Sequence, residues 1–201
     1  VTISKPFYLC THEVTQGLWQ AVMGENPSTF RSLPDHQNLP VETVTWNQCQ
    51  AFIQKLNAET EGRFRLPTEA EWEYACRAGT TSRFYWPEDE GEWVINRYAW
   101  VNSRSFAMPH PGGEKIANPW GLYDMSGNVW EWCSDWYGPY TAADQTDPTG
   151  PETGKNKVFR SGSWYDLPFS NRSANRHRHG LDKGYPAIGL RLVWEPEGGQ
   201  Q

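Results

Sequence analysis

The apolar positions of this chain fall into helical spacing early and into alternation late. In the opening stretch ISKPFYLCTHEVT, apolar and polar residues alternate as in a strand. Thr15 is then placed to cap a helix whose apolar face is Leu18, Trp19 and Val22 and whose stop is Gly24. A second helix starts behind Thr45, with Trp46, Cys49, Phe52, Ile53 and Leu56 recurring every three or four residues. In FRLPTEAEWEYACRAG, Pro67 ends a short strand and Thr68 with Glu71 forms a capping box. Trp72, Ala75 and Cys76 face inward, and Gly79 supplies the left-handed exit. Beyond residue 80 turns dominate, and three stretches remain strand-like: NVWEWCSDWY, KVFRSGSW and AIGLRLVW. The pattern predicts one α+β domain over residues 1–201, with few short helices and strands and extensive loops.

Composition sharpens this picture. Twelve tryptophans, 18 glycines and 15 prolines in 201 residues describe an aromatic core tied together by turns. A chain of this length buries enough surface to fold without disulfide or metal. Its four cysteines, Cys10, Cys49, Cys76 and Cys133, show no zinc-type spacing, and two of them sit on apolar helix faces, so buried free thiols are expected. No apolar run is long enough to span a membrane. The first residue falls in what reads as mid-strand, so the natural start is expected to lie upstream. The missing targeting signal therefore leaves the compartment open.

A net charge of −6 argues against a nucleic-acid partner. The charge is uneven. Residues 158–194 hold six basic side chains (Arg160, Arg172, Arg176, Arg178, Lys183 and Arg191) against Asp166 and Asp182, which leaves −10 for the rest. These arginines either bracket the fold as buried ion-pair partners or make a mildly basic binding face.

The segments FRLPTEAEWEYACRAG, NPWGLYDMSGNVWEWCSDWY, FRSGSW and IGLRLV, in that order, resemble the formylglycine-generating-enzyme (sulfatase-modifying factor) family. The resemblance runs along nearly the whole chain and implies an irregular, C-type-lectin-like fold. It also implies a copper(I) site of two cysteines shortly after the GSW turn, five residues apart. Those positions hold Asp166 and Asn171 here. Copper(I) needs soft thiolates, so neither copper nor catalysis is expected. The iron-dependent sulfoxide synthases of the same family use an HxxxHxE-type cluster that this chain lacks. His177 and His179, two apart, make a weak metal pair on their own.

The resemblance further implies one structural calcium ion, held by Asp124, the carbonyls of Met125, Gly127 and Val129, and Glu131, an oxygen set suited to a hard cation. The alternative is a tight turn at Gly127 and Asn128 with packed tryptophans. The family's other calcium loop is shortened here to SRSFAMPHPGGEKIA, and no ion is expected there.

Residues 165–187 are compositionally biased. Lys, Glu, Gln, Met and Trp make up 46 of the 201 residues, yet these 23 positions hold only Lys183. Codons ending in a pyrimidine cannot encode those five types. The bias resembles the variable proteins of diversity-generating retroelements, which include a Treponema surface protein, where asparagine codons are randomised at their adenines. Ordinary drift in a non-catalytic relative would leave a similar window. The displayed set would be Tyr165, Asp166, Leu167, Phe169, Ser170, Asn171, Asn175, His177, His179, Gly180, Leu181, Gly184, Tyr185 and Ala187, within a variable region spanning 160–193. Such side chains give amphipathic contact at low entropic cost. The expectation is a monomeric, non-catalytic protein that binds a protein or other macromolecule. An extracytoplasmic or cell-surface location would follow if the variable-protein resemblance holds. The alternatives are a formylglycine-generating oxidoreductase and a scaffold domain of a longer chain.

Overall fold

The computed structural model describes residues 1–87, 94–102 and 105–196. Its elements are β1 (Tyr8–Leu9), α1 (Gln16–Met23), α2 (Trp46–Glu59), β2 (Arg63–Arg65), α3 (Glu69–Arg77), α4 (Ile95–Tyr98), β3 (Trp130–Trp136), β4 (Lys157–Arg160), β5 (His177–His179), β6 (Ile188–Gly189) and β7 (Val193–Glu195). Short 3-10 turns cover His36–Asn38 and Pro168–Asn171.

The three long helices begin where their caps require. The Thr15 hydroxyl accepts the Leu18 N–H, and Thr45 and Thr68 form reciprocal boxes with Gln48 and Glu71. Each box satisfies two backbone donors that a helix start otherwise leaves open. Arg65 grips the Glu71 carboxylate through two bonds of 2.7 Å, fixing β2 against the start of α3.

Two small sheets organise the rest. One runs β1-β7-β2, all antiparallel, so the early strands are completed by the last one. The other runs β5-β4-β3-β6, antiparallel except for the β3–β6 pair. β3 is covered on both sides. Trp130 and Trp132 enter a core with Trp19, Phe52, Leu56 and Leu190, while Cys133 enters a second core with Trp72, Cys76, Trp86 and Met125. Trp19 and Phe52 stack at 4.8 Å. Both sheets thus have a packed interior that holds their loops from below.

Two strand expectations are corrected. AIGLRLVW is two strands, Ile188–Gly189 in one sheet and Val193–Glu195 in the other. Between them Arg191 turns fully inward to the Glu131 carboxylate, a contact that breaks the local run. KVFRSGSW ends at Arg160, because Ser161 and Gly162 adopt φ of 96° and 83°, outside strand conformation.

Candidate binding surface

The C-terminal surface grows out of a buried arginine frame. Arg160, the last residue of β4, is fully buried and pairs with Glu69 and Glu73 of α3, both at 2.6 Å. It also donates to the Ser173 carbonyl, which ties the loop after β4 to the helix. Arg176 pairs with Glu69 and lies 4.3 and 4.2 Å over the rings of Tyr137 and Tyr140. Arg191 makes three bonds of 2.8–3.1 Å to Glu131, whose Oε2 also accepts the Trp72 indole at 2.7 Å. Arg160, Arg176 and Arg191 are therefore frame. Arg172 and Arg178 are exposed: Arg172 bonds the Phe169 carbonyl, and Arg178 rests over Tyr137.

The loop leaves this frame through a pin. Trp164 is nearly buried, bonded through its backbone to Asn128 and through its indole to the Pro186 carbonyl. Pinning 164 to 186 brings the two ends of the window together. From there Tyr165 (66% exposed), Leu167 (55%), Phe169 (62%) and Tyr185 (47%) point outward. Four large apolar side chains so exposed within 21 residues exceed the scattered singles that need no explanation. His177 stacks on Phe159, and His179 bonds the Tyr185 hydroxyl at 3.1 Å. Ser170, Asn175, Gly180 and Leu181 are partly exposed, with Asn175 bonding the Ser170 carbonyl.

Four members of the expected displayed set are held by the fold. Asn171 is buried and donates to the Leu167 carbonyl, closing the 3-10 turn. It lies so close over Gly162 that a Cβ at that glycine would overlap its amide. Gly184 lies against the Thr43 backbone, and any side chain there would strike the Thr43 carbonyl. Asp166 accepts the Trp130 indole at 2.8 Å and the Ser163 hydroxyl, while its carbonyl receives the Asn102 N–H. Ala187 packs on the core, and its carbonyl receives the Trp130 N–H. For Asp166, Gly184 and Ala187 the holding partners Trp130 and Thr43 lie far away in sequence, so the composition of the window could not reveal them.

Asp166 and Asn171 stand where the resemblance placed two copper-binding cysteines, and both are committed to structural hydrogen bonds. The chain's own thiols are elsewhere. Cys49, Cys76 and Cys133 are buried and Cys10 is half-buried, all four free. Burial pushes every one upward in pKa, Cys76 to about 12. A reactive or metal-binding thiolate needs the opposite shift.

The expected calcium donors are only partly free. Asp124 is buried, with one oxygen accepting the Gly113 N–H at 2.8 Å and the other, Oδ1, without a partner. The Met125 carbonyl receives the Cys76 thiol and that of Gly127 the Ser161 hydroxyl. Val129 is buried where β3 begins. The Glu131 carboxylate is occupied by Arg191 and Trp72. Of the shortened second loop, residues 103 and 104 lie outside the described residues.

A cleft of about 640 Å³ adjoins the arginine frame, walled by Glu69, Glu73, Tyr140 and Arg176 together with Tyr74 and Trp136. Sequence reading missed it because its walls come from separate segments with no shared pattern. Among the described residues, no helix is long and apolar enough to cross a membrane.

Residues 1–196 match the family model of the sulfatase-modifying factor enzyme 1-like domain. The chain belongs to this family. Among curated sulfatase-modifying-factor relatives, the formylglycine-generating enzyme of Streptomyces coelicolor is 42% identical over 162 residues, covering 73% of this chain. The chain spans about half the length of that relative (50%). Among solved structures of this fold, Treponema denticola variable protein 1 superposes with a TM-score of 0.87 at 32% identity, over 94% of this chain and 84% of that one. PvdO from Pseudomonas aeruginosa gives 0.86 at 28%, over 97% and 82%. The α+β, C-type-lectin-like expectation stands.

Proposed function

We propose that this protein is a non-catalytic member of its family that binds a macromolecular ligand, most simply a protein, through the surface formed by residues 165–185. The observation that carries the reading is the treatment of two positions. Where the resemblance calls for a soft, redox-active pair, Asp166 and Asn171 serve as hydrogen-bonded braces. Around those braces stand four exposed aromatic or aliphatic side chains. A rigid support under adaptable amphipathic contacts lowers the ordering cost of binding. The likeness to Treponema denticola variable protein 1 supports reading the window as a diversified one. On this reading the free positions narrow to Tyr165, Leu167, Phe169, Ser170, Asn175, His177, His179, Gly180, Leu181 and Tyr185. The protein acts as a monomer and, as a display protein, outside the cytoplasm.

Oxidation of a CxPxR-type peptide tests the non-catalytic half. The copper-treated protein with oxygen is expected to yield no aldehyde above a protein-free control. Stoichiometric or better aldehyde would reinstate the oxidoreductase reading.

A further inference from the structure

The cleft beside the arginine frame is built from three segments that hold one another. One face of α3 supplies Tyr74, the end of β3 supplies Asp135 and Trp136, and the loop that follows supplies Pro148 and Pro151. The loop is fixed at both edges. The Thr2 N–H donates to the Gln145 carbonyl at 2.9 Å, and the Thr2 carbonyl accepts the Asp147 N–H at 2.8 Å. Pro151 packs so closely on Gly138 that a Cβ at the glycine would overlap it. A cavity of about 640 Å³ with aromatic and proline walls has the size and lining of a small-molecule site.

The charges of the cleft are unequally matched. Glu69 is paired with Arg160 and Arg176, and Glu73 with Arg160 and Arg77. Asp135 is only 4% exposed, and its Oδ2 accepts the Glu69 N–H at 2.8 Å and the Ser134 hydroxyl at 3.2 Å. Its Oδ1 meets no donor among the described residues, yet it is not sealed in as Asp124 Oδ1 is. Gly150 faces it, and a Cβ there would approach Oδ1 to 3.2 Å, so the glycine keeps this oxygen uncovered. Lys157, whose charge acts on Asp135, has its ammonium committed. It donates to the Ser134 carbonyl at 2.7 Å and lies 4.3 and 3.9 Å over the rings of Trp46 and Trp136. Burial lifts Asp135 to about 6, so it is still charged at neutral pH. A carboxylate oxygen this buried is costly to leave without a donor.

We propose that the cleft binds a small primary amine, its ammonium on Asp135 Oδ1 and its apolar body against Tyr74, Trp136, Pro148 and Pro151. The single free oxygen selects the cation. A guanidinium pairs best with both oxygens of a carboxylate, whereas an ammonium is a point charge that needs only one. A metal ion would lack ligands, because among the described residues no three His, Cys, Asp or Glu side chains gather to hold one. Tyr74 is half exposed and meets Trp120 edge-on at 4.9 Å, which gives the body of the amine an aromatic wall. The site shares only Arg176 with residues 160–193 and stands independently of the surface at 165–185.

The test uses the full chain with phenethylamine as probe, titrated by calorimetry and by the shifts of the tryptophan indole N–H resonances. Phenethylamine should bind once per chain with millimolar affinity or better. Phenethyl alcohol and hydrocinnamate carry the same aromatic body with a neutral or anionic end. Each should bind at least about tenfold more weakly, since a hydrogen bond between charged groups is lost. Asp135→Asn should weaken the amine by a similar factor and leave the alcohol unchanged. If phenethylamine does not bind, or binds no better than the alcohol, the proposal fails. If Asp135→Asn keeps the wild-type affinity, the amine sits elsewhere and the assignment fails. Should that variant not fold, Tyr74→Ala replaces it at a half-exposed position: weaker amine binding supports the cleft, and an unchanged affinity overturns it.

Discussion

Two stretches only a few residues apart in sequence use their polar side chains in opposite ways. At 160 and 191 the arginines are wholly buried and paired with carboxylates of Glu69, Glu73 and Glu131 at 2.6–2.8 Å. Between 165 and 185 the side chains of Tyr165, Leu167, Phe169 and Tyr185 stand out from the surface. The contrast teaches that the frame, rather than the loop, specifies the loop's path. Arg160 holds Ser173, Trp164 is fastened to Asn128 and Pro186, and Gly184 is seated against Thr43. With the backbone set from beneath, the outward side chains are free to differ.

The comparison is broken most severely by removing the frame. Arg191→Met leaves Glu131 buried beside Trp72 with no counter-charge, and breaking such a pair costs about 3–5 kcal/mol. For a chain of this size that lowers Tm by roughly 10 °C, measurable by calorimetry. A smaller Tm loss, near that of an exposed substitution, would mean that the frame is not under this load. Next is Gly184→Ala, which lies inside the biased window but drives a methyl group into the Thr43 carbonyl. Overpacking of this kind costs about 1–3 kcal/mol, read as a shift in denaturation midpoint. If alanine there is neutral, position 184 rejoins the displayed set.

A pH measurement sharpens the contrast from the frame side. Burial lifts Asp135 to about 6, so the folded chain holds its proton more tightly than the unfolded one. Its contribution to stability is therefore present in acid and is lost as pH rises from the ordinary carboxylate range through about 6. Asp135→Asn keeps an oxygen for the Glu69 N–H and removes that slope. The variant should gain on the wild type between about pH 4 and pH 7; parallel stability curves would contradict the shift. The smallest effect belongs to the display. Tyr165→Ala and Phe169→Ala should each change stability by no more than about 0.5 kcal/mol. A larger loss would mean that these rings support the fold.

Much of the first half was legible in the sequence. Thr45 with Gln48 and Thr68 with Glu71 announce helix starts locally, and the apolar spacing behind them needs no distant information. The last third was harder because its decisive contacts are remote. Nothing in IGLRLV says that Arg191 leaves the strand run to meet Glu131, or that Ile188 and Val193 join different sheets. The window 165–187 was visible as a composition, and the exposure of Tyr165, Leu167, Phe169 and Tyr185 agrees with it. Asn171 and Gly184 share that composition yet are fixed by Gly162 and Thr43, which only the folded chain brings near. That Asp124 Oδ1 and both Glu13 oxygens lie buried without a partner is likewise set by the fold and has no signal in either residue's sequence neighbourhood.

The central claim, a fixed frame beneath a diversified surface, is tested most directly at the gene. Sequencing the locus and its flanks should reveal a near-identical template copy of codons 160–193 beside a reverse transcriptase. Its adenines should fall at the ten free positions and spare the codons of Arg160, Gly184 and Arg191. A locus without any such copy, or with adenines falling equally on frame and surface codons, would contradict the account.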